Sequence, residues 1–262
     1  SIGGQGYNFD LLSSTPTNEI LNVTLGGYNN SWSGGAGTGS PNNQWGQDAN
    51  WLYTAHIYDE GESGFHQQLT KNVVESYIDP LNLRKDSIIL DLGCGPGYFL
   101  DEMKERGYTN VTGVTLSPGD IEICKSKGHT IKTYDMSFLP QKDGYYDESV
   151  DFIFLRHSLE HSPYPIFTLM EYNRVLKQGG KIYIETPAPD CERGHETNLN
   201  HYSILGSSQL ASLIDRTGFK IDTFNTLEFD LAVGQDEEGN KIEVKEKYFC
   251  IVATKARPLD IK

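Results

Sequence analysis

From about residue 70 onward, short apolar runs alternate with stretches of helical periodicity. Ile88-Ile89-Leu90-Asp91-Leu92 is a compact apolar run that ends in glycines, the pattern of a parallel strand buried on both faces. Gly97 to Arg106 reads as a helix closed by Gly107. Val111 to Leu116 is a second strand, and Ser117-Pro118 opens the next helix with an N-cap hydroxyl and a first-turn proline. Ile131 to Tyr134 and Val150 to Leu155 supply strands three and four. Between Pro165 and Lys177, Ile166, Leu169, Met170 and Leu176 share one helical face, and Gly179-Gly180 should stop that helix. Lys181 to Thr186 is strand five, and Ser207 should cap a helix running through Arg216 to Gly218. Phe219 to Glu228 and Ile242 to Thr254 read as two long strands around a hairpin-like tip at Glu237-Glu238-Gly239-Asn240. The alternation predicts an α/β fold: a doubly wound, mostly parallel sheet of seven strands with an antiparallel edge strand.

The first 69 residues follow no such rhythm. The first Lys or Arg is Lys71, residues 1–50 hold 10 Gly and 8 Asn, and all three tryptophans (Trp32, Trp45, Trp51) fall early. The tract Trp32 to Pro41 is too rich in glycine for a regular element, yet tryptophans are rare in disordered tails. The expectation is a Gly/Asn/Trp-rich extension over residues 1–69 that acts as a lid, burying Trp45, Trp51, Tyr53 and Tyr58 against a main domain at 70–262.

Charge and cysteine content narrow the function. The 262 residues carry a formal net charge of −14, which argues against a surface that tracks long RNA or DNA and favours a small-molecule or glycan substrate. No apolar run approaches the ~18 residues of a membrane span. The start, Ser1 to Gly6, has neither the basic nor the apolar region of a secretion signal. Cys94, Cys124, Cys191 and Cys250 are scattered without a CxxC pair, so no disulfide scaffold or cysteine-zinc motif is expected, and the cytoplasm is the expected compartment.

Asp91-Leu92-Gly93-Cys94-Gly95-Pro96-Gly97 lies between a strand and a helix, where glycines let backbone approach a ligand and the helix offers free N–H groups. Its spacing is not the GxGxxG of dinucleotide folds. With the ordered alternation behind it, this turn resembles that of the class I S-adenosylmethionine-dependent methyltransferases, over roughly residues 70–255. The resemblance implies a Rossmann-like fold and S-adenosylmethionine as cofactor. Its methionine part would lie over Gly93, Cys94, Gly95 and Gly97, with its amine near Asp91. Strand two departs from the common family pattern. Thr115, followed by Leu116, stands where many members carry a ribose-binding acid, and a hydroxyl is no substitute for a bidentate carboxylate. A Gly-Val-Thr-Leu-Ser strand end does occur in chains resembling cyclopropane fatty-acid synthases. Asp135 and Met136 resemble the adenine-reading segment, and Arg156 at the end of strand four joins the cofactor set.

After strand four, His157, Glu160 and His161 are spaced i, i+3, i+4, so a helical turn would put all three on one face. Two imidazoles and a carboxylate can hold a divalent ion. The turn resembles that of plant small-RNA 2′-O-methyltransferases and ubiquinone-pathway O-methyltransferases, in which a Glu-x-x-Glu-His turn binds a metal that engages the acceptor hydroxyl. Here Glu160 and His161 match, His157 replaces the first Glu, and His201 would supply the later His, with His195 in reserve. The implied first shell is His157, Glu160, His161 and His201, suited to Fe, Mn, Co, Ni or Zn. His157, Glu160 and His201 are also the candidates for proton transfer. The same letters spell the inverted zinc-peptidase motif HxxEH, but Ser162-Pro163 leaves no room for the longer helix that chemistry needs. The leading reading is methyl transfer to a hydroxyl of a small metabolite, sugar or biosynthetic intermediate. C- or N-methyl transfer, or a non-catalytic cofactor-binding module whose N-terminal segment engages a glycan or protein, are the alternatives.

Overall fold

A computed structural model describes residues 7–11, 21–25, 28–30, 60–235 and 241–259. The chain divides into two compact units, residues 1–47 and 48–262. In the first, β1 (Tyr7–Leu11), β2 (Leu21–Leu25) and β3 (Tyr28–Asn30) form an antiparallel sheet in that order. The Gly-rich tract and Trp32, Trp45, Trp51, Tyr53 and Tyr58 lie outside the described residues.

The second unit opens with α1 (Glu60–Val73), which runs on into a π-helical turn at Val74–Ile78. Its buried Val73, Val74 and Ile78 pack into the main core. The boundary expected at 69/70 falls within α1.

Then follow β4 (Ile88–Leu92), α2 (Tyr98–Glu105), β5 (Asn110–Val114), α3 (Pro118–Ser126), β6 (Thr130–Lys132), β7 (Val150–Arg156), α4 (Pro165–Val175), β8 (Leu176–Pro187), α5 (Ser207–Arg216), β9 (Phe219–Gln235) and β10 (Lys241–Lys255). The sheet has seven strands in the order β6-β5-β4-β7-β8-β10-β9. Pairing is parallel from β6 to β8, and β10 runs antiparallel to both β8 and β9. The antiparallel strand thus sits one place in from the sheet's edge.

Strand alternation sends side chains to two separate cores, one on each face. Ile89, Phe152, Phe154 and Tyr183 meet Phe99 and Met103 of α2 on one side. There Phe154 stacks between Phe99 (ring centroids 3.8 Å) and Tyr183 (5.2 Å). Leu90, Leu92, Ile153, Leu155, Ile182 and Ile184 meet Leu169 and Tyr172 of α4 and Leu210 and Ile214 of α5 on the other. Among the described residues no helix is long and apolar enough to cross a membrane.

Three local expectations are corrected. Helix α4 stops at Val175, because Leu176 turns extended and is buried opposite Val150, so Gly179 and Gly180 lie within β8 rather than ending the helix. Its buried face is Leu169, Tyr172 and Val175, whereas Ile166 is exposed. Helix α5 is capped by Gly206, whose N–H donates to the Gln209 side chain (3.4 Å), and Ser207 is its first residue. The tip at Glu237–Asn240 lies outside the described residues.

Candidate functional site

The carboxyl ends of β4, β7 and β8 lie side by side, with Asp91 paired to Phe154 and Arg156 to Glu185. At the end of β4 the chain turns sharply, held because Gly93 and Cys94 both donate to the Val114 carbonyl (2.9 and 3.1 Å). Gly93 has φ +80°, and a Cβ there would collide with the Ser158 side chain. Gly95, at φ +51°, faces open space. The glycines therefore do two jobs: Gly93 lets the loop after β7 close against the turn, and Gly95 leaves its mouth open.

Asp91 is buried, and its Oδ2 has no hydrogen-bond partner. Burial pushes its pKa up to about 8, against the pull of the Arg156 charge. An orphaned acceptor beside an open glycine turn fits a ligand ammonium group. Thr115 is buried and its hydroxyl accepts from Ser117 N–H (3.2 Å), while Ser117 Oγ caps α3 by accepting from Asp120 N–H (3.3 Å). Leu116 is half-buried beside it. Asp135 is exposed, with Oδ1 accepting from Ser137 N–H (2.8 Å), and Met136 packs on the core edge.

One charged network links Arg156, Glu185, His157 and Glu160. Arg156 Nε lies 2.8 Å from Glu185 Oε1, close enough for an ion pair, though not aligned as a hydrogen bond. His157 Nε2 is 2.8 Å from the same oxygen, and its Nδ1 is 3.6 Å from Glu160 Oε1. Tyr183 donates to Glu185 Oε2 (2.6 Å). Burial favours neutral His157, but the hydrogen bonds with Glu160 and Glu185 outweigh it, so its pKa is raised. Burial likewise opposes charge on Glu185, yet Arg156 and His157 hold its pKa down at about 2. Glu160 is lowered as well, the His157 contact overcoming its desolvation. His157 is thus clamped between two carboxylates that favour its protonated form.

The structure brings together three of the four expected metal ligands. The turn at Leu159–His161 is a 3₁₀ turn, and His157 stands before it at φ +50°, turned toward Glu185 instead of onto the expected helical face. Glu160, His161 and His201 offer ligand atoms that all lie within 4.8 Å of one another. The loop carrying His201 is tied in because Tyr202 and Ser203 N–H donate to the Glu160 carbonyl (2.7 and 3.1 Å).

Partners set both imidazole tautomers. His161 Nδ1–H donates to the Asn200 carbonyl (2.9 Å) and His201 Nδ1–H to the His195 carbonyl (3.0 Å), so each keeps its lone pair on Nε2. The second oxygen of buried Glu160, Oε2, has no partner. Burial is the largest cause lowering the His201 pKa, which keeps that ring neutral. His201 Nε2 accepts from the exposed Asn198 amide (3.3 Å), a contact that a bound ion would displace, and an unpaired carboxylate oxygen with two imidazoles in this tautomer fits a divalent transition ion. His195, the reserve candidate, is instead buried against Glu246 of β10 (2.7 Å).

Sequence reasoning missed the orienting groups Glu185, Tyr183 and Glu246. Their one visible signal was an acidic or hydroxylated residue inside an otherwise apolar strand, as in Tyr183-Ile184-Glu185.

A doubly wound seven-stranded sheet with an acid and a glycine turn closing its first parallel strand defines the class I S-adenosylmethionine-dependent methyltransferases. Residues 66–223 match the family described as "Methyltransferase domain", and the chain belongs to it. It is 28% identical over 176 residues to a tRNA U34 carboxymethyltransferase of Aliarcobacter butzleri, covering 63% of this chain and 56% of that protein. It is 24% identical over 178 residues to a 27-O-demethylrifamycin SV methyltransferase of Amycolatopsis mediterranei, covering 63% and 65%. The chain thus spans between about half and two thirds of these relatives' length. A crystal structure of a SAM-dependent methyltransferase from Archaeoglobus fulgidus shares the fold, with a TM-score of 0.56 at 20% identity over 72% of this chain and 94% of that one.

Proposed function

We propose that this chain methylates a hydroxyl oxygen of a small acceptor, with Glu160, His161 and His201 holding a divalent transition ion. The observation that carries the metal reading is the orphaned Glu160 Oε2 in a cluster where Glu160, His161 and His201 each offer a ligand atom within 4.8 Å of the others. The rifamycin relative, whose name specifies an O-demethylated substrate, supports oxygen as the acceptor, and the net charge of −14 supports a small one.

S-adenosylmethionine, when bound, supplies the electrophilic methyl group. Asp91 is suited to take its ammonium group and the Gly93–Gly97 backbone to take its amino-acid end, while Asp135 is suited to accept from the adenine amino group. Ser158 packs on Gly93, so the loop that carries Glu160 closes directly against the glycine turn that would hold the cofactor. His157, set between Glu185 and Glu160, favours the ionised form of Glu160. An ion held there, when bound, supplies polarisation of the acceptor oxygen and a lower pKa for its hydroxyl.

Two measurements test this reading. Calorimetric titration with S-adenosylhomocysteine should give one site, and no heat of binding would overturn the methyltransferase reading. Elemental analysis beside activity, before and after chelation and for His161→Ala, tests the ion. Full activity in metal-free protein would overturn the metal and leave the cluster to acid-base or structural work.

A further inference from the structure

Beyond His201 the same loop carries a second cluster, on the far side of His195. Glu246 of β10 is fully buried, and three donors converge on its Oε1: His195 Nε2 at 2.7 Å, the Lys247 backbone N–H at 3.3 Å and Cys191 Sγ at 3.6 Å. The ligand atoms of Cys191, His195 and Glu246 all lie within 4.8 Å of one another. Arg193 Nη1 lies 3.2 Å from the other oxygen, Oε2, so Oε1 is the oxygen that faces Cys191 and His195.

The loop needs such an anchor. Between residues 189 and 200 the only buried side chain is His195, and the one large apolar residue, Leu199, is exposed. Its attachment to the sheet is otherwise polar, as in Lys245 N–H donating to Glu192 (2.8 Å). A segment of this length without an apolar footing is held only by what its polar groups can grip.

We propose that Cys191, His195 and Glu246 form a structural zinc site that ties this loop to β10. Sulfur, imidazole and carboxylate donors are the ligand set of tetrahedral zinc, with one position left for water. Binding takes the proton from the Cys191 thiol and needs the His195 ring in the tautomer that carries its proton on Nδ1, so that Nε2 gives up its hydrogen bond to Oε1 and offers its lone pair instead; a single dication then replaces the side-chain donors that now meet on Oε1. The site has a downstream effect, because the His195 carbonyl is the acceptor that orients His201. It is separate from the Glu160 cluster and stands or falls without it.

Cobalt(II) titration of the reduced, metal-free full chain tests the site, because a thiolate ligand gives cobalt a near-ultraviolet charge-transfer band. The band should appear in the wild type, persist in His161→Ala and be lost in Cys191→Ser, whose side chain is only partly buried. Zinc should also protect Cys191 from alkylation, read by mass spectrometry. No band in natively folded wild type at saturating cobalt would overturn the proposal. So would its persistence in Cys191→Ser, or its loss in His161→Ala, which would assign the thiolate to the other cluster.

Discussion

Gly93 and Gly95 share a turn and a backbone sign but face different surroundings, and replacing each by alanine separates packing from binding. Both have positive φ, so either alanine costs about 1–2 kcal/mol for a left-handed L-residue. At Gly93 the new methyl would also lie 2.8 Å from Ser158 Cβ, with the hydroxyl closer still. Forcing a methyl into a packed site adds about 1–3 kcal/mol. At Gly95 nothing lies within 4 Å, so that second cost is absent. The difference between the two variants is therefore the contact alone. At about 2–4 °C per kcal/mol for a domain of this size, Gly93→Ala should melt roughly 2–12 °C below Gly95→Ala. Gly95→Ala should stay folded yet bind S-adenosylhomocysteine about tenfold more weakly, a loss of ~1.4 kcal/mol, because its methyl stands in the open mouth. Thermal denaturation followed by circular dichroism gives the first quantity and isothermal calorimetry the second. Equal melting temperatures would show that Ser158 yields freely and that Gly93 is not a packing glycine. Unchanged affinity in Gly95→Ala would mean that the ligand does not enter through this mouth.

Other consequences are open to direct measurement. Glu185→Gln removes the buried carboxylate that half-buried Arg156 and His157 share and should cost about 3 kcal/mol by urea denaturation; a loss below about 1 kcal/mol would show that Arg156 and His157 do not depend on it. With a folded pKa of about 2 against roughly 4.3 unfolded, Glu185 adds stability that is complete above that value and fades as pH falls toward 2. His157, raised above its ordinary ~6.5, adds stability that is complete below that value and fades as pH rises through the folded pKa. Urea midpoints of His157→Gln should therefore converge with those of the wild type at alkaline pH, and a constant gap from pH 6 to 10 would refute the assignment. Asp91 is protonated below about 8, so binding an ammonium group beside it near pH 7 should release a proton. Calorimetric heats for S-adenosylhomocysteine should then differ between phosphate and Tris, and identical heats would exclude the coupling.

What the sequence revealed and what it hid follow physical lines. The parallel strands were legible because burial on both faces leaves continuous apolar runs such as Ile88 to Leu92, and the Ser117-Pro118 cap was legible because it is purely local. The end of α4 was not, because the Leu176 turn is set by pairing with Val150 across the sheet, while the adjacent glycines only mimic a stop signal. Within the site, Glu160 and His161 were readable as neighbours and His201 by resemblance. The orientation of His157 was not, because its positive φ and the pull of Glu185 arise only once β7 and β8 lie side by side. Glu246 was invisible for the same reason: it reaches His195 from a strand 51 residues further along the chain.

The placement of β10 between β8 and β9 has a consequence for the order of assembly. The parallel part of the sheet can form as its strands leave the ribosome, each docking beside one already made. The strand that carries Glu246, and Tyr248 packed 4.4 Å from the His157 ring, is synthesised last of the seven, yet must slot in beside β8. The nascent protein would thus hold its glycine turn before the loop at residues 189–200 has anything to rest on. The same geometry runs in reverse under stress. Peeling away the β9–β10 hairpin would free the loop at residues 189–200 and silence the enzyme while the parallel sheet stayed intact, so inactivation would precede unfolding.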